Sequence, residues 1–148
     1  MKMAPRVHQL AVASYDRKKG SFDVMQIATP LSEEIGRYLD LSTRQIQLTS
    51  TNMANLDTPG YRAVGMDFDA EMRQAIGRIE TQPEDAGSMI TPRVIAVDGL
   101  IVRPDGNNVS MDRESLNLAE AQLKFKTGVA LLKREYTRVM DAIHADAK

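Results

Sequence analysis

The chain has 148 residues, a formal net charge of -1 at pH 7 and 26% charged residues. This length suffices for one ordinary domain with a modest core, and the near balance of charge argues against a general binder of nucleic acid or anionic membranes. The absence of cysteine excludes a disulfide framework and thiol chemistry, and no apolar run reaches the roughly 18 residues that span a bilayer.

Residues 1–24 form the first predicted part and show no sustained hydrophobic period. Their polar second half predicts a flexible leader. The apolar stretch Leu10–Ala13 is too short for the core of a signal peptide, so we expect no cleaved Sec signal. The Lys-Lys-Gly run at 18–20 can be encoded by a purine-rich stretch that resembles a ribosome-binding site upstream of Met25. Both Met1 and Met25 therefore stay open as the biological start.

The second part, residues 25–60, is predicted to hold one long helix and a turn. The helix should run from about Pro30 to Leu56, because Thr29 suits the N-cap and proline suits the first helical position. One face repeats at steps of three and four residues, which is helical spacing. Its members are Leu31, Ile35, Tyr38, Ser42, Ile46, Thr49, Met53 and Leu56. We expect Ile35, Ile46 and Met53 to pack against the last helix of the chain.

A turn should close this helix within the segment Asn52–Tyr61. Pro59 pushes the preceding residue away from the α region, so the helix should end near Asp57. Pro59 and Gly60 suit the two central positions of a type II turn, because proline pre-sets the first φ and glycine accepts a positive φ at the second. Asparagine and aspartate side chains can bond to the backbone groups left free there. Taken alone, the pattern indicates a helix terminator.

The third part, residues 61–109, is predicted to be irregular. A short helix is expected from about Met66 to Ile79, followed by a loop over 82–88. Two apolar runs rich in β-branched residues, at 94–97 and 100–102, flank Asp98-Gly99. This arrangement is a strong signal for a short β-hairpin.

The fourth part, residues 110–148, is predicted to be a helix from about Met111 to Ala145, with Ser110 as its N-cap. Its apolar stripe also repeats at steps of three and four residues. The stripe contains Ala121 and the predicted packing residues Leu118, Phe125, Val129, Leu132, Tyr136, Val139 and Ile143. The fold is therefore predicted to be mainly α, with long N- and C-terminal helices that pair as a coiled-coil-like hairpin.

The length of the two predicted helices is itself informative. At 1.5 Å per residue they would span about 40 and about 50 Å, whereas a compact globule of this size is roughly 40 Å across. Two paired helices each bury only one side, so much apolar surface stays uncovered. These lengths predict a helical protein that assembles with copies or relatives of itself.

The segment Asn52-Met53-Ala54-Asn55-Leu56-Asp57-Thr58-Pro59-Gly60-Tyr61 closely resembles the N-terminal motif of bacterial flagellar rod and hook proteins. Its continuation to Asp67-Phe68 resembles the flagellar basal-body rod proteins of the FlgB type, from the proximal rod. A second match, Asp105–Glu114, is a Gly-Asn-Asn-Val turn that leads into an acidic helix start. The resemblance covers roughly residues 27–148, with departures at Leu56 and Gly65. It marks as the assembly motif Asn52, Ala54, Asn55, Thr58, Pro59, Gly60 and Tyr61.

This resemblance implies a structural subunit of the periplasm-spanning rod in the flagellar basal body. Such proteins are exported unfolded by the flagellar type III apparatus, without a cleaved Sec signal, and are required for motility. The implied partners are other rod subunits, the rod-base adaptor, the MS-ring and the export gate, within a hetero-oligomeric helical assembly around a central channel. No nucleic acid or small-molecule substrate is implied. Phe68 and Met72 have the spacing of an export element, although an ordinary helix face has the same spacing.

An enzyme is the main rival class, and the sequence offers no catalytic, cofactor or metal site. His8 and His144 are isolated near the two ends. The alternating acidic residues at 67, 69 and 71 lack the calcium-loop pattern, and no phosphate loop or nucleophile motif occurs. Two alternatives remain: another subunit of the rod family, or a helical coiled-coil scaffold or adaptor unrelated to flagella. Neighbouring rod and adaptor genes would favour the rod.

Overall fold

The structure, a computed structural model, describes residues 29–81 and 91–145. Its elements, in chain order, are helix α1 (Pro30–Ala54), strand β1 (Val64–Gly65), helix α2 (Phe68–Thr81), strand β2 (Ile95–Ala96) and helix α3 (Met111–Ala145). The two long helices lie antiparallel along each other, and α2 packs on α1. The expected mainly α fold with paired terminal helices is confirmed. The predicted leader and the loop over 82–88 lie outside the described residues.

Local capping chemistry explains where the helices begin. Thr29 is extended, and its Oγ1 accepts a hydrogen bond from the Ser32 amide at 3.1 Å, so it is the N-cap of α1 as expected. Asp67 does the same for α2, where its Oδ1 accepts from the Ala70 amide at 2.9 Å. The α3 helix begins at Met111, as the sequence predicts. None of the described helices is long and apolar enough to cross a membrane.

The middle segment contains the expected antiparallel pair of short strands. The strand that pairs with β2 is β1, however, and not residues 100–102 as the Asp98-Gly99 signal predicts. Val64 of β1 lies opposite Ala96 of β2, and Gly65 lies opposite Ile95. Residues 100–102 form no strand, so Asp98-Gly99 does not join two paired strands. Long-range bonds to the residues just before β1 decide the pairing, since the Val97 amide donates to the Ala63 carbonyl at 2.9 Å.

The contact line between α1 and α3 differs from the apolar stripe that periodicity predicts. The buried residues of α3 recur every seven positions: Glu114, Ala121, Gly128 and Glu135. A β-carbon on Gly128 would lie only 2.7 Å from Leu39 Cδ2 and 3.0 Å from Tyr38 Cδ1. The contact line therefore runs through small residues at Ala121 and Gly128, and apolar spacing alone does not locate it.

Within the single chain, the predicted packing residues divide into three groups. Ile35 and Ala121 are buried, whereas Ile46, Met53, Leu118, Leu132 and Val139 are half-buried. Four members of the α3 stripe are 37 to 56% exposed: Phe125, Val129, Tyr136 and Ile143. In the single chain these four side chains are therefore only partly covered, and the prediction that they pack against α1 is not tested by their exposure. Their packing against neighbouring subunits stays a prediction.

Candidate assembly elbow

The segment Asn52–Tyr61, which we call the elbow, carries the chain out of α1. The helix ends at Ala54, slightly before the expected Leu56. The Tyr61 amide then donates to the Thr58 carbonyl at 3.2 Å, and Gly60 has a φ of 74°. This is the geometry of a type II turn with proline and glycine at its centre, as the sequence predicts. A residue with a side chain at position 60 would be strained.

Asn52 is the hub of the elbow and is only 2% exposed. Its Nδ2 donates to the Val64 carbonyl at 2.8 Å and to Glu114 Oε2 at 3.0 Å. Its Oδ1 accepts from the Val64 amide at 3.0 Å and from the Tyr61 hydroxyl at 3.2 Å. These four bonds use the full capacity of one amide side chain. Asn52 therefore joins α1, the turn, β1 and α3 at one point.

Asn55 and Thr58 make a smaller, local set of bonds. Asn55 Nδ2 donates to the Thr51 carbonyl at 2.9 Å, and the Thr58 hydroxyl donates to Asn55 Oδ1 at 3.2 Å. Both bonds lie at the exposed side of the elbow. They help to satisfy backbone and side-chain groups where the helix ends.

Asn107 closes the elbow from the loop before α3 and is completely buried. Its Nδ2 lies 2.9, 3.1 and 2.8 Å from the carbonyl oxygens of Asn55, Leu56 and Thr58. The Arg103 guanidinium also donates to the Leu56 carbonyl. The end of a helix leaves carbonyls without intrahelical partners. At the end of α1, these carbonyls are satisfied by side chains from a distant part of the sequence.

The elbow and the turn before α3 meet backbone to backbone. The Gly60 amide donates to the Asp105 carbonyl at 2.8 Å, and Gly106 has a φ of 84°. A β-carbon on Gly106 would lie 3.3 Å from Gly60 Cα. Next to this contact, Asn108 Oδ1 accepts from the Ala63 amide at 2.7 Å. The two sequence motifs are therefore two halves of one structural unit.

Burial and charge in the elbow keep Glu114 as a hydrogen-bond acceptor and Tyr61 as a donor. Glu114 is 2% exposed and accepts hydrogen bonds from Asn52 and, at 3.5 Å, from Asn117. Burial, and then the nearby charge of Glu114, raise the pKa of Tyr61, so its hydroxyl stays protonated and donates to Asn52. Across residues 29–81 and 91–145, no three side chains of His, Asp or Glu come together in a way that could hold a metal ion.

The structure gathers most of the predicted assembly motif and adds residues that sequence reasoning missed. Within the motif, Asn52, Asn55, Thr58, Gly60 and Tyr61 share the network. Ala54 and Pro59 are exposed, as are Thr58 and Gly60. The missed residues are Arg103, Asn107, Asn108 and Glu114. Three of these four belong to the second motif, so the co-occurrence of the two motifs was the available signal. The proposed export element lies apart from the elbow, in α2, with Phe68 buried and Met72 half-buried.

Two long paired helices joined through a hydrogen-bonded elbow define a helical structural protein. No model of a protein family matches the chain. The chain is 34% identical over 110 residues to the flagellar basal body rod protein FlgB of Cereibacter sphaeroides, covering 70% of this chain and 85% of that protein. It is 30% identical over 119 residues to the FlgB of Salmonella typhimurium, with 71% and 86% covered. For the FlgB of Escherichia coli the identity is 26% over 121 residues, with 72% and 88% covered. The chain belongs to the FlgB family of flagellar basal body rod proteins.

Proposed function

We propose that this structural protein is a subunit of the proximal rod. There it assembles into a hetero-oligomeric helical wall with other rod subunits, next to the rod-base adaptor, the MS-ring and the export gate. The observation that carries the proposal is the outward stripe of α3, which we define as Phe125, Val129, Tyr136 and Ile143. These side chains are 37 to 56% exposed in the single chain. A line of large apolar groups along one helix is typical of a surface that another protein covers.

The length of α3 supports the same proposal. Glu135 of α3 contacts Thr29, the first described residue. The helix then continues to Ala145, which adds about 15 Å beyond that contact. Tyr136 and Ile143 lie on this extension. An extension whose side chains are mostly exposed is suited to pack against neighbouring subunits.

In this proposal the elbow is the fixed exit of α1 from the rod wall. Its inward groups, led by Asn52 and Tyr61, hold the shape of the turn through hydrogen bonds. Ala54, Thr58 and Pro59 face outward and are exposed. The exposed residues of the elbow are therefore available to a neighbouring subunit. The buried hydrogen-bonded residues hold them in one conformation.

Export by the flagellar type III apparatus, without a cleaved Sec signal, completes the proposal. Phe68 is 8% exposed, its ring meets the Tyr38 ring edge-on at 5.3 Å, and the Lys124 ammonium lies 4.4 Å from its centroid. An export element at Phe68 and Met72 would thus be accessible to the export apparatus only before α2 packs on α1. This arrangement is compatible with export of the unfolded chain.

The test is complementation of a strain that lacks the gene. The wild-type chain should restore motility and isolated basal bodies with rods. A double variant, Val129→Glu with Tyr136→Glu, should be secreted but build no rods, because it places charge within the outward stripe. Ser115→Glu, at an exposed polar position of the same helix, is the matched control and should restore rods. Normal rods in the double variant, or normal motility of the deletion strain, would contradict the proposal.

A further inference from the structure

We propose that Gly128 and two buried carboxylates, Glu114 and Glu135, set the register in which α1 and α3 pair. Together with Ala121, these residues form the buried row of α3 at seven-residue intervals. Seven residues make almost two helical turns, so the row follows one line along the contact with α1. Polar groups occupy the two ends of this row and small residues occupy its middle.

The two small residues in the middle of the row, Ala121 and Gly128, leave space for side chains of α1. Ala121 is completely buried. At Gly128, a β-carbon would lie 2.7 Å from Leu39 Cδ2 and 3.1 Å from Leu39 Cγ. Contacts under 3.0 Å force a neighbour to move, so a side chain at position 128 would displace the flexible end of Leu39 and press on the Tyr38 ring, whose Cδ1 would lie 3.0 Å away. Gly128 is thus a socket for one residue of α1.

The two ends of the row act through directed hydrogen bonds. Glu135 Oε1 accepts from the Thr29 hydroxyl at 3.1 Å, at the start of α1, while its Oε2 pairs with Arg138 of the same helix at 3.2 Å. Glu114 Oε2 accepts from Asn52 Nδ2 at 3.0 Å, near the end of α1. Both carboxylates are at most 9% exposed. A buried carboxylate that loses its donor costs far more than a solvated one, so each bond favours a single position of the helix.

A slide of α3 along α1 fails at all three points together. One helical turn is about 5.4 Å, which is longer than any hydrogen bond, so both carboxylates would lose their donors on α1. They would keep only the donors on α3 itself, Arg138 for Glu135 and Asn117 for Glu114. The same slide would bring Lys124 or Leu132 against Leu39 in place of Gly128. The buried row therefore selects one register out of those that the apolar stripe alone would allow.

The register matters because it fixes where the outward stripe lies relative to the elbow. This consequence rests on the proposed rod function, since both surfaces would then meet neighbouring subunits at set positions. The register itself is a property of the isolated chain. It can be tested without reference to assembly, so the two proposals can fail separately.

The first test compares two glycines by thermal unfolding of the purified full-length chain. Gly128→Ala should lower the midpoint by about 5 °C, because the new methyl group meets Leu39. Gly36→Ala is the matched control in α1, where a β-carbon would have nothing within 4 Å. It should raise the midpoint, because alanine favours the helix over glycine. An equal rise in both variants would overturn the role of Gly128.

The second test measures register directly. Because the chain has no cysteine, spin labels can be attached at Ser50→Cys and Arg134→Cys, both exposed and several turns apart along the paired part of the two helices. The otherwise unchanged labelled chain should give one narrow distance distribution. Glu114→Leu with Glu135→Leu should broaden it or shift it by about 5 Å, one helical turn.

The conservative pair Glu114→Gln with Glu135→Gln should restore the narrow distribution, because glutamine keeps an acceptor oxygen for both donors. A distribution in the Leu pair identical to that of the unchanged chain would overturn the role of the carboxylates, even if that variant is less stable. A broad distribution in the unchanged labelled chain would overturn the whole proposal.

Discussion

At the scale of single residues, the elbow shows how a few amides can hold a backbone junction. Asn52 lies in α1 before the turn and Asn107 lies in the loop before α3, and both are buried with their side-chain groups bonded. Asn52 organises the backbone after the turn, whereas Asn107 organises the carbonyls before it. The shape of the junction therefore depends on two residues that are far apart in the sequence.

Replacement of Asn107 should destabilise the chain strongly. Asn107→Ala removes the donor shared by three carbonyls and leaves a small cavity, so we expect a loss of about 2 to 3 kcal/mol in the free energy of unfolding. Asn117→Ala is the control, because the side chain of that asparagine has one long bond of 3.5 Å. Urea denaturation measures both values. Equal losses in the two variants would show that the buried amide has no special role.

Gly60→Val should impair rod assembly more than synthesis of the chain. A β-branched residue strongly resists the φ of 74° found at this position. Gly99→Val is the matched control, because Gly99 has a φ of 76° but lies outside the elbow. Rod yield and cellular protein level should be compared in both strains. Normal motility with Gly60→Val, or equal defects in the two strains, would count against the elbow as an assembly device.

The stability of the chain should fall at alkaline pH in a way that depends on Tyr61. Burial and the charge of Glu114 raise the pKa of Tyr61 above its ordinary value of 10.0. A raised pKa means that the folded state holds the proton more tightly. This contribution is therefore complete below pH 10 and is lost as the pH rises through the folded pKa. Tyr61→Phe should flatten the decline of unfolding free energy above pH 10; an unchanged slope would contradict the prediction.

At the scale of elements, local chemistry was enough to place the helices but not the contacts between them. The N-cap at Thr29 and the turn at Pro59-Gly60 depend on neighbouring residues, and both are found as predicted. The hairpin signal at Asp98-Gly99 is local too, but longer-range bonds between 63 and 97 override it. The contact line between α1 and α3 through Gly128 could not be predicted from apolar spacing, because it depends on the absence of a side chain.

The burial of the two phenylalanines leads to a direct comparison of core and surface. Phe68 is 8% exposed and lies between Tyr38 and Lys124, whereas Phe125 is 37% exposed. Phe68→Ala should therefore cost about 3 kcal/mol of unfolding free energy. Phe125→Ala should cost about 1 kcal/mol in the isolated chain, because that ring is already partly solvated. A larger loss from Phe125→Ala, measured by urea denaturation, would show that α3 packs differently.

At the scale of the whole molecule, α3 has two parts that differ in how much of the chain packs against them. From Glu114 to Glu135, α3 is held by α1 through a buried row and a hydrogen bond at each end. From Tyr136 to Ala145, most of its residues are exposed. Helices without tertiary packing are marginal in water, so stability should be distributed unevenly along this one helix.

Hydrogen exchange should make this uneven stability visible. In the purified chain, amides over 136–145 should exchange close to the rate of a free peptide, whereas those over 114–135 should be protected by several orders of magnitude. In assembled rods, the extension should become protected as well, because neighbours would then cover Tyr136 and Ile143. Circular dichroism should show the matching gain of helix on assembly. A purified chain that is uniformly protected and as helical as the rod would mean that α3 needs no neighbour to complete it, and the outward stripe would lose its proposed role.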